Sequence, residues 1–227
     1  RNYKVIDPSN EEPCAEISLG GKKDVDKAVS AAKKAFETWA FTKKEERLEL
    51  LEKLYVIYKK RWAEMAKLIS LEMGAPIKFS TEMQAATGAG HIKSFKQILK
   101  DFKFEKDLGE EKNNQKLLYE PKGVCALITP WNWPINQVNL KVIPALASAC
   151  TVVLKPSEIA PLSSMLLAEM IDEAKFPSGV FNLINGDGAI TGNALTSHPD
   201  INMISFTGST RAGALISQNA AKDFKRI

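Results

Sequence analysis

The sequence predicts an α/β fold in which a helical N-terminal segment precedes a parallel sheet covered by helices on both faces, with a short protruding β arm between them. Two observations carry this prediction. Up to about residue 104 the apolar residues recur at helical spacing. After Pro121, short and wholly apolar runs alternate with helical patterns. Strands that are apolar throughout are typical of parallel sheets buried on both faces.

The helical segment has recognisable start and stop signals. Thr42 and Glu45 predict a T-x-x-E capping box. Gly74 and Pro76 predict the end of a later helix. Glycines 88 and 90 lie inside the next helical pattern, from residue 80 to about 100, where they indicate close helix packing. The first helix presents one apolar stripe: Val25, Ala28, Val29, Ala32, Phe36 and Trp39.

A polar stretch from Phe104 to Glu120 separates the two patterns and predicts a strand or hairpin that leaves the domain surface, with a mobile surface loop as the alternative. The predicted organisation is a helical part over residues 1–103, an arm over 104–121 and a sheet core over 122–227. The core should contain four strand–helix units, with strands at 123–128, 151–154, 180–184 and 202–206 and helices at 136–149, 162–174, 189–196 and 210–224.

Composition excludes several classes of protein. The 31 basic and 27 acidic side chains give a net charge of +4 and are interleaved along helices, which disfavours a nucleic-acid binder. Three scattered cysteines and two histidines make a zinc site improbable, and we expect no metal. We expect no membrane association, because no long apolar run or leader is present, and a reducing, cytoplasmic location.

Ligands of parallel α/β sheets bind outside the carboxyl ends of the strands, so the site should follow Ile128, Leu154, Ile184 and Phe206. After the first strand, Pro130 and Pro134 bracket Asn132 between two tryptophans. An Asn held in a dry pocket between such rings offers NH₂ donors that could stabilise an oxyanion. The alternative is a rigid turn in which the Asn caps backbone groups.

The second and third strands end in polar residues and glycines. Lys155 and Glu158 are placed for an anionic or hydroxyl-rich ligand, and the Glu could accept hydrogen bonds from ribose hydroxyls. An exposed Lys–Glu pair is the alternative. Gly186, Gly188 and Gly192 form a G-x-G-x-x-x-G run, which is weak as a dinucleotide fingerprint but suits close backbone approach.

The fourth strand runs through Phe206 and Thr207 into Gly208, Ser209 and a helix. A helix N-terminus with free N–H groups favours phosphate, although plain N-capping explains such a sequence equally well. Each motif is modest alone, and their convergence on one sheet edge is what predicts a cofactor site.

Three runs, in this order and spacing, resemble the aldehyde dehydrogenase superfamily, whose sheet is Rossmann-like. The resemblance covers essentially the whole chain, including the opening from Val5 to Val29. The runs are 119–124 (Tyr-Glu-Pro-Lys-Gly-Val) leading into 128–134 (Ile-Thr-Pro-Trp-Asn-Trp-Pro), 151–158 (Thr-Val-Val-Leu-Lys-Pro-Ser-Glu) and 204–210 (Ile-Ser-Phe-Thr-Gly-Ser-Thr).

The resemblance implies NAD-dependent oxidation of an aldehyde to a carboxylic acid, with NADP as a possible cofactor. It implies that Asn132 is the oxyanion-hole asparagine and Lys141 part of a proton relay, and that Lys155 and Glu158 contact the adenosine ribose, where Glu158 favours NAD. It also implies a homodimer or homotetramer assembled through the arm. The implied cofactor-binding residues are Ile128, Thr129, Pro130, Trp131, Lys155, Ser157, Glu158, Gly186, Phe206, Thr207, Gly208, Ser209 and Ala212.

The sequence departs from the family pattern in its chemistry. The family's nucleophile is a cysteine preceded by Gly-Gln, whereas Cys14, in an early turn, Cys125 and Cys150 lack that setting and are interpreted as packing residues. The general-base glutamate segment is also missing; the resemblance puts it soon after Ile227. We therefore expect these 227 residues to bind NAD without oxidising aldehydes. Ala149-Cys150 replaces a common Gly-Asn and is expected to be harmless.

Three other interpretations remain open at this point. The chain could be a truncated, non-catalytic NAD-binding or assembly module. It could belong to a phosphate-activated acyl reductase, which Glu158 disfavours because those enzymes usually prefer NADP. It could also bind nucleic acid, which the interleaved charges disfavour. The particular aldehyde is not named by the sequence.

Overall fold

The computed structural model describes residues 1–109 and 115–227. The chain opens with an antiparallel hairpin of β1 (Asn2–Asp7) and β2 (Glu12–Ser18). Cys14 lies within β2, so its expected place in a turn is wrong. The helices that follow are α1 (Lys22–Trp39), α2 (Lys44–Lys60), α3 (Trp62–Met73), α4 (Ile77–Phe79) and, after a π-helical turn at Ser80–Gln84, α5 (Ala85–Asp101).

The second half contains the predicted parallel sheet. Its strands are β5 (Val124–Ile128), β6 (Thr151–Lys155), β7 (Phe181–Leu183) and β8 (Met203–Phe206), in the order β7-β6-β5-β8. All three pairings are parallel, which confirms the predicted fold class. The connecting helices are α6 (Pro134–Ala147), α7 (Leu162–Glu173), α8 (Asn193–Thr196), which follows a π-helical turn at Gly188–Gly192, and α9 (Thr210–Ala221).

The central strand β5 shows why the strands are wholly apolar. Cys125 and Leu127 belong to the larger hydrophobic cluster, with residues of α2, α3, α5, α6 and α7. Val124, Ala126 and Ile128 belong to a second cluster, with residues of α1, α8 and α9. Successive side chains of a strand point to opposite faces. Both faces of the sheet are therefore buried by helices, as the composition of the strands predicts.

Within the predicted arm, β3 (Glu105–Asp107) and β4 (Lys116–Leu118) pair as an antiparallel hairpin. Both strands are exposed, in agreement with an excursion from the surface. The part of the predicted arm at residues 110–114 lies outside the described residues. Across the part of the chain that the structure describes, no helix combines the length and the apolar character needed to cross a membrane.

Two predictions about helix ends had different outcomes. Gly74 ends α3 in the left-handed conformation, with φ of 76°, as expected. The capping box is wrong, because Lys43 is the N-terminal flanking residue of α2 and no side chain caps that end. The Thr42 hydroxyl donates instead to Trp39 O at 2.7 Å, and the carbonyl of Thr42 accepts from the buried Arg47 guanidinium at 2.6 Å.

The two glycines of α5 also differ. A Cβ on Gly88 would lie 2.3 Å from Tyr58 Oη and 3.0 Å from Ile135 Cγ1, so close packing is confirmed there. Tyr58 is fully buried and donates to Ala85 O at 2.9 Å. Gly90 is exposed, and a Cβ on it would meet none of the described atoms within 4 Å, so close packing is wrong for this residue.

The junction between α6 and β6 depends on a left-handed residue. Ala149 has φ of 61°. Its N–H donates to Leu146 O at 3.1 Å, and the N–H of Cys150 donates to Ala145 O at 3.0 Å. These two bonds form a Schellman motif, which normally has Gly at the left-handed position. A Cβ in this conformation costs about 1–2 kcal/mol in general, so we expect Ala149 to be strained here, and the earlier expectation that it is harmless stays open to the test below.

We expect Gly88→Ala to lower the free energy of unfolding by about 2 kcal/mol, because the added methyl group overpacks the site beside Tyr58. Gly90→Ala is the matched control on the same helix. It should raise the free energy of unfolding by about 0.5–1 kcal/mol, because Ala favours helix and the space is open. Urea titration of both variants measures the difference, and equal effects would contradict this account.

We expect Ala149→Gly to raise the free energy of unfolding by about 0.5–1 kcal/mol, since relief of the left-handed strain exceeds the added entropy of the unfolded chain. Ala147→Gly, two residues earlier in the last turn of α6, should instead lower it by about 1 kcal/mol. Thermal and urea unfolding compare the two. A loss of stability in the Ala149 variant would show that its backbone is not strained.

Candidate functional site at the carboxyl edge of the sheet

The strand ends lie level with one another. Ile128 of β5 pairs with Lys155 of β6 on one side and with Phe206 of β8 on the other. Just beyond them, Thr129 N donates to Lys155 O at 3.3 Å and Thr207 N donates to Ile128 O at 3.2 Å. The sheet register therefore brings three of the predicted segments to one edge.

Asn132 follows β5 at this edge, in the turn before α6. It is exposed, and 48% of the neighbouring Trp131 is exposed. Pro130 is half-buried and continues directly from the strand. The expectation that the tryptophan rings hold Asn132 in a dry pocket is wrong for the residues described. Asn132 is instead exposed in the turn at the carboxyl edge of the sheet.

The second tryptophan of this turn packs away from Asn132. Trp133 Nε1 donates to Thr87 Oγ1 at 3.2 Å, and its ring lies edge-on to Phe79, with centroids 5.7 Å apart. The turn is thus fixed to α5 and the helical segment before it. Sequence reasoning missed Thr87, because nothing local to residue 87 indicates a partner 46 residues away.

Lys155 is the most enclosed charged group at the edge. Only 3% of it is exposed, so the alternative of an exposed Lys–Glu pair is wrong for the lysine. Its ammonium group donates to Pro156 O at 2.8 Å and to Gly186 O, and lies 3.4 Å from Glu158 Oε2. Burial lowers the pKa of Lys155, while the charge of Glu158 opposes that shift. The lysine ties the loop after β6 to the loop after β7.

Glu158 retains free hydrogen-bonding capacity. About 26% of its side chain is exposed, and its described polar contact is the one to Lys155 at 3.4 Å. A carboxylate can accept up to about four hydrogen bonds, so acceptor sites remain for a hydroxyl-bearing ligand. Ser157 is buried, and its hydroxyl oxygen accepts from Ile159 N at 3.3 Å, which shapes the loop that carries Glu158.

The glycine after β7 has a packing role. A Cβ on Gly186 would lie 2.0 Å from Thr191 Oγ1, and the Thr191 hydroxyl donates to Gly20 O. Thr191 is fully buried within the π-helical turn. Gly186 is therefore required by the fold at this point, whether or not a ligand approaches it. Sequence reasoning missed Thr191, whose partner lies 171 residues away.

The turn after β8 is tight and exposed. A Cβ on Gly208 would lie 2.5 Å from Phe206 Cζ, so a larger residue here would displace the Phe206 ring. Ser209 caps α9, since its Oγ accepts from Ala212 N at 3.2 Å. The N–H of Ala212 is used by this cap, whereas helix geometry leaves the N–H of Thr210 and of Arg211 without intrahelical partners. The start of α9 thus offers donors for an anion.

Lys141 connects α6 to the same turn. Its Nζ donates to Thr207 Oγ1 at 2.8 Å. Burial lowers the pKa of Lys141. A lysine whose pKa is lowered releases its proton more readily near neutral pH, which suits a role in proton transfer. Thr129 Oγ1, at the end of β5, is buried and has no hydrogen-bond partner among the described residues.

A family model described as the aldehyde dehydrogenase family matches residues 1–227. The chain belongs to this family. A curated relative, 3-succinoylsemialdehyde-pyridine dehydrogenase from a Pseudomonas species, is 50% identical over 228 residues, which cover 100% of this chain and 47% of the relative.

Solved structures of family members are similar throughout the chain. An aldehyde dehydrogenase from Bartonella henselae has a TM-score of 0.97 and 60% identity, covering 100% of this chain and 48% of that protein. A mutant of aldehyde dehydrogenase C from Pseudomonas syringae, in complex with NAD+ and octanal, has a TM-score of 0.96 and 46% identity, covering 100% and 46%. The chain thus spans about half the length of the relatives it matches.

We expect Glu158→Gln to weaken NAD binding about tenfold, because a neutral amide accepts ribose hydroxyl groups less strongly than a carboxylate. NADP binding should weaken less or improve, since the charge that repels a 2′-phosphate is removed. Calorimetric titration of both cofactors measures the change. Glu173→Gln on α7 is a charge-matched control. Unchanged affinities for both cofactors in the Glu158 variant would remove this residue from the site.

Proposed function

We propose that this chain supplies the cofactor-binding half of an enzyme that oxidises an aldehyde to a carboxylic acid with NAD. The observation that carries the proposal is the level arrangement of Ile128, Lys155 and Phe206, which gathers the polar groups at one edge of the sheet. Membership of the aldehyde dehydrogenase family supports it. NAD+ is present in the solved structure of the related enzyme from Pseudomonas syringae.

The residues present fit a dinucleotide. Glu158 retains free acceptor sites for ribose hydroxyls, and the start of α9 retains N–H groups for a pyrophosphate. The hydroxyl of Thr129, which has no hydrogen-bond partner among the described residues, follows β5 and so lies between these two groups along the edge. Seven of the proposed cofactor residues would shape the walls of this edge, namely Ile128, Pro130, Trp131, Ser157, Gly186, Phe206 and Thr207.

The chemistry assigns distinct tasks to Asn132 and Lys141. The Asn132 amide would donate a hydrogen bond to the aldehyde oxygen as negative charge develops on it. Lys141, held on Thr207, would hold or pass a proton, aided by its lowered pKa. NAD, when bound, supplies the hydride acceptor.

The three cysteines of this chain lie away from Asn132. Cys125 is the second residue of β5, Cys150 precedes β6, and Cys14 is in β2, whereas Asn132 follows the opposite end of β5. The family resemblance implies that a cysteine nucleophile and a glutamate base lie outside these 227 residues. We therefore propose that the chain alone binds NAD without turning over aldehydes. We propose that the whole protein is cytoplasmic, which cell fractionation tests.

Self-association is a second candidate role, and the arm favours it. Its described part exposes large apolar side chains, which are Leu108, Leu117, Leu118 and Tyr119. Such residues on a protruding hairpin suit burial against another copy of the chain. We propose a homodimer or homotetramer of the whole protein, with the arm in its interface.

The test measures NAD binding and aldehyde-dependent NADH formation on the same 227-residue chain, with a panel of aliphatic and aromatic aldehydes. We expect NAD binding without turnover. Turnover by a chain of verified mass would overturn the proposal that the nucleophile and the base lie outside these 227 residues. The assembly role would be favoured instead if the chain bound neither NAD nor NADP and light scattering detected an oligomer that is lost on deletion of residues 104–121.

A further inference from the structure

A buried carboxylate of α3 holds the beginning of α7. Glu72 lies one residue before the end of α3 and is only 1% exposed. Its Oε1 accepts a hydrogen bond from Ser163 N at 3.1 Å, and its Oε2 accepts one from Leu162 N. Leu162 and Ser163 are the first two residues of α7, where N–H groups have no intrahelical partner. Glu72 thus caps a helix that begins 90 residues further along the chain.

This cap comes from another part of the fold, because α7 has none of its own. Pro161 precedes the helix and makes no side-chain cap, and the first turn of α7 contains no acidic residue. Helices are more often capped by an adjacent Ser, Thr, Asp or Asn, which can stay near the surface. The contact with Glu72 therefore does more than a local cap, since it also fixes α7 to α3.

The charge of Glu72 is compensated by this same contact. Burial raises the pKa of Glu72 to about 7, while the hydrogen bonds from Ser163 and Leu162 oppose that shift. Among the described residues, no charged side chain contributes to the shift. The partial positive charge at the start of α7 is then the stabilising partner of the carboxylate. Separation of the two would leave a buried charge without compensation, so they are held firmly together.

The segment between β6 and α7 is fixed at both ends by buried charged side chains. At its first end, the Lys155 ammonium group donates to Pro156 O at 2.8 Å and to Gly186 O. At its second end, Glu72 binds the first N–H groups of α7. Residues 156–161 between these anchors include Glu158. The place of the Glu158 carboxylate therefore depends on both anchors, as a binding group depends on the residues that support it.

We propose that Glu72 is a positioning residue for cofactor binding, because its bonds to the start of α7 hold Glu158 where a ribose can reach it. Glu72 is buried and acts through the backbone of the segment. The inference rests on the proposed role of Glu158 in NAD binding and adds cofactor discrimination to it. A displaced Glu158 would accept ribose hydroxyls less well and would also repel a 2′-phosphate less.

A cap that served stability alone would have a different signature. Loss of such a cap lowers the free energy of unfolding. The folded protein would still bind NAD with unchanged affinity, because Glu158 would keep its place. A positioning role instead couples Glu72 to Glu158, and this coupling appears as non-additive effects in a double-mutant cycle.

The cycle uses the whole protein that contains this chain and measures the NAD and NADP dissociation constants by calorimetry. Its variants are Glu72→Gln, Glu158→Gln and the double variant. The glutamine side chain keeps one acceptor oxygen but places an NH₂ group against a backbone N–H. We expect Glu72→Gln to weaken NAD binding about fivefold in the otherwise wild-type protein and less than about twofold in the Glu158→Gln background. NADP binding should weaken less than NAD binding.

The matched control is Glu64→Gln, because Glu64 lies on the same helix and bonds to Arg61 at the surface. This variant should leave the affinity for NAD unchanged. Urea unfolding of each variant shows that binding is measured on folded protein. Glu72→Asp keeps the charge and both oxygens on a shorter side chain. If Glu72→Gln does not fold, Glu72→Asp takes its place in the cycle and should show the same non-additivity.

The outcomes separate this inference from the function on which it rests. Equal losses of NAD affinity in both backgrounds, or no loss in either, would overturn the positioning role and leave the NAD site in place. A wild-type protein that binds no NAD would overturn both. A loss confined to the background that retains Glu158 would support the positioning role.

Discussion

The hydrogen-bond register of three parallel strands is the constraint on which the candidate site depends. Parallel strands are joined only by crossovers, so all carboxyl ends meet at one edge of the sheet. Here Ile128 pairs with both Lys155 and Phe206. Side chains that are 78 residues apart in sequence are therefore held level by backbone bonds, and the helices that bury both faces keep the sheet in place.

The sequence alone indicates the strands and the edge because these rest on local signals. Wholly apolar runs predicted β5 to β8 to within one or two residues, and polar residues directly after them predicted the site segments. The boundaries differ where another motif takes over. The helix predicted from Ala189 begins as a π-helical turn that Asp187 caps through Ile190 N, and the helix predicted to reach Phe224 ends at Ala221.

What the sequence could not predict depends on residues far along the chain. Trp133 is held by Thr87, 46 residues earlier, so its ring does not enclose Asn132. The missing capping box has a local cause, because α2 begins after Lys43 and the Thr42 hydroxyl donates to Trp39 O. The interpretation of Cys150 as a packing residue was reasonable for a buried thiol. Cys150 is buried in the larger hydrophobic cluster, as that interpretation expects.

The strand order of the sheet also affects the order in which its strands pair during folding. The central pair β5–β6 joins residues about one crossover apart, whereas β8 must return to β5 across the whole of α6, β6, α7 and β7. Closing the longer loop costs more chain entropy, so contacts of high sequence separation form late. The turn at Gly208 and Ser209, where we propose that a pyrophosphate binds, is then the last part of the edge to assemble during folding. A nascent chain acquires the loop that carries Lys155 and Glu158 first.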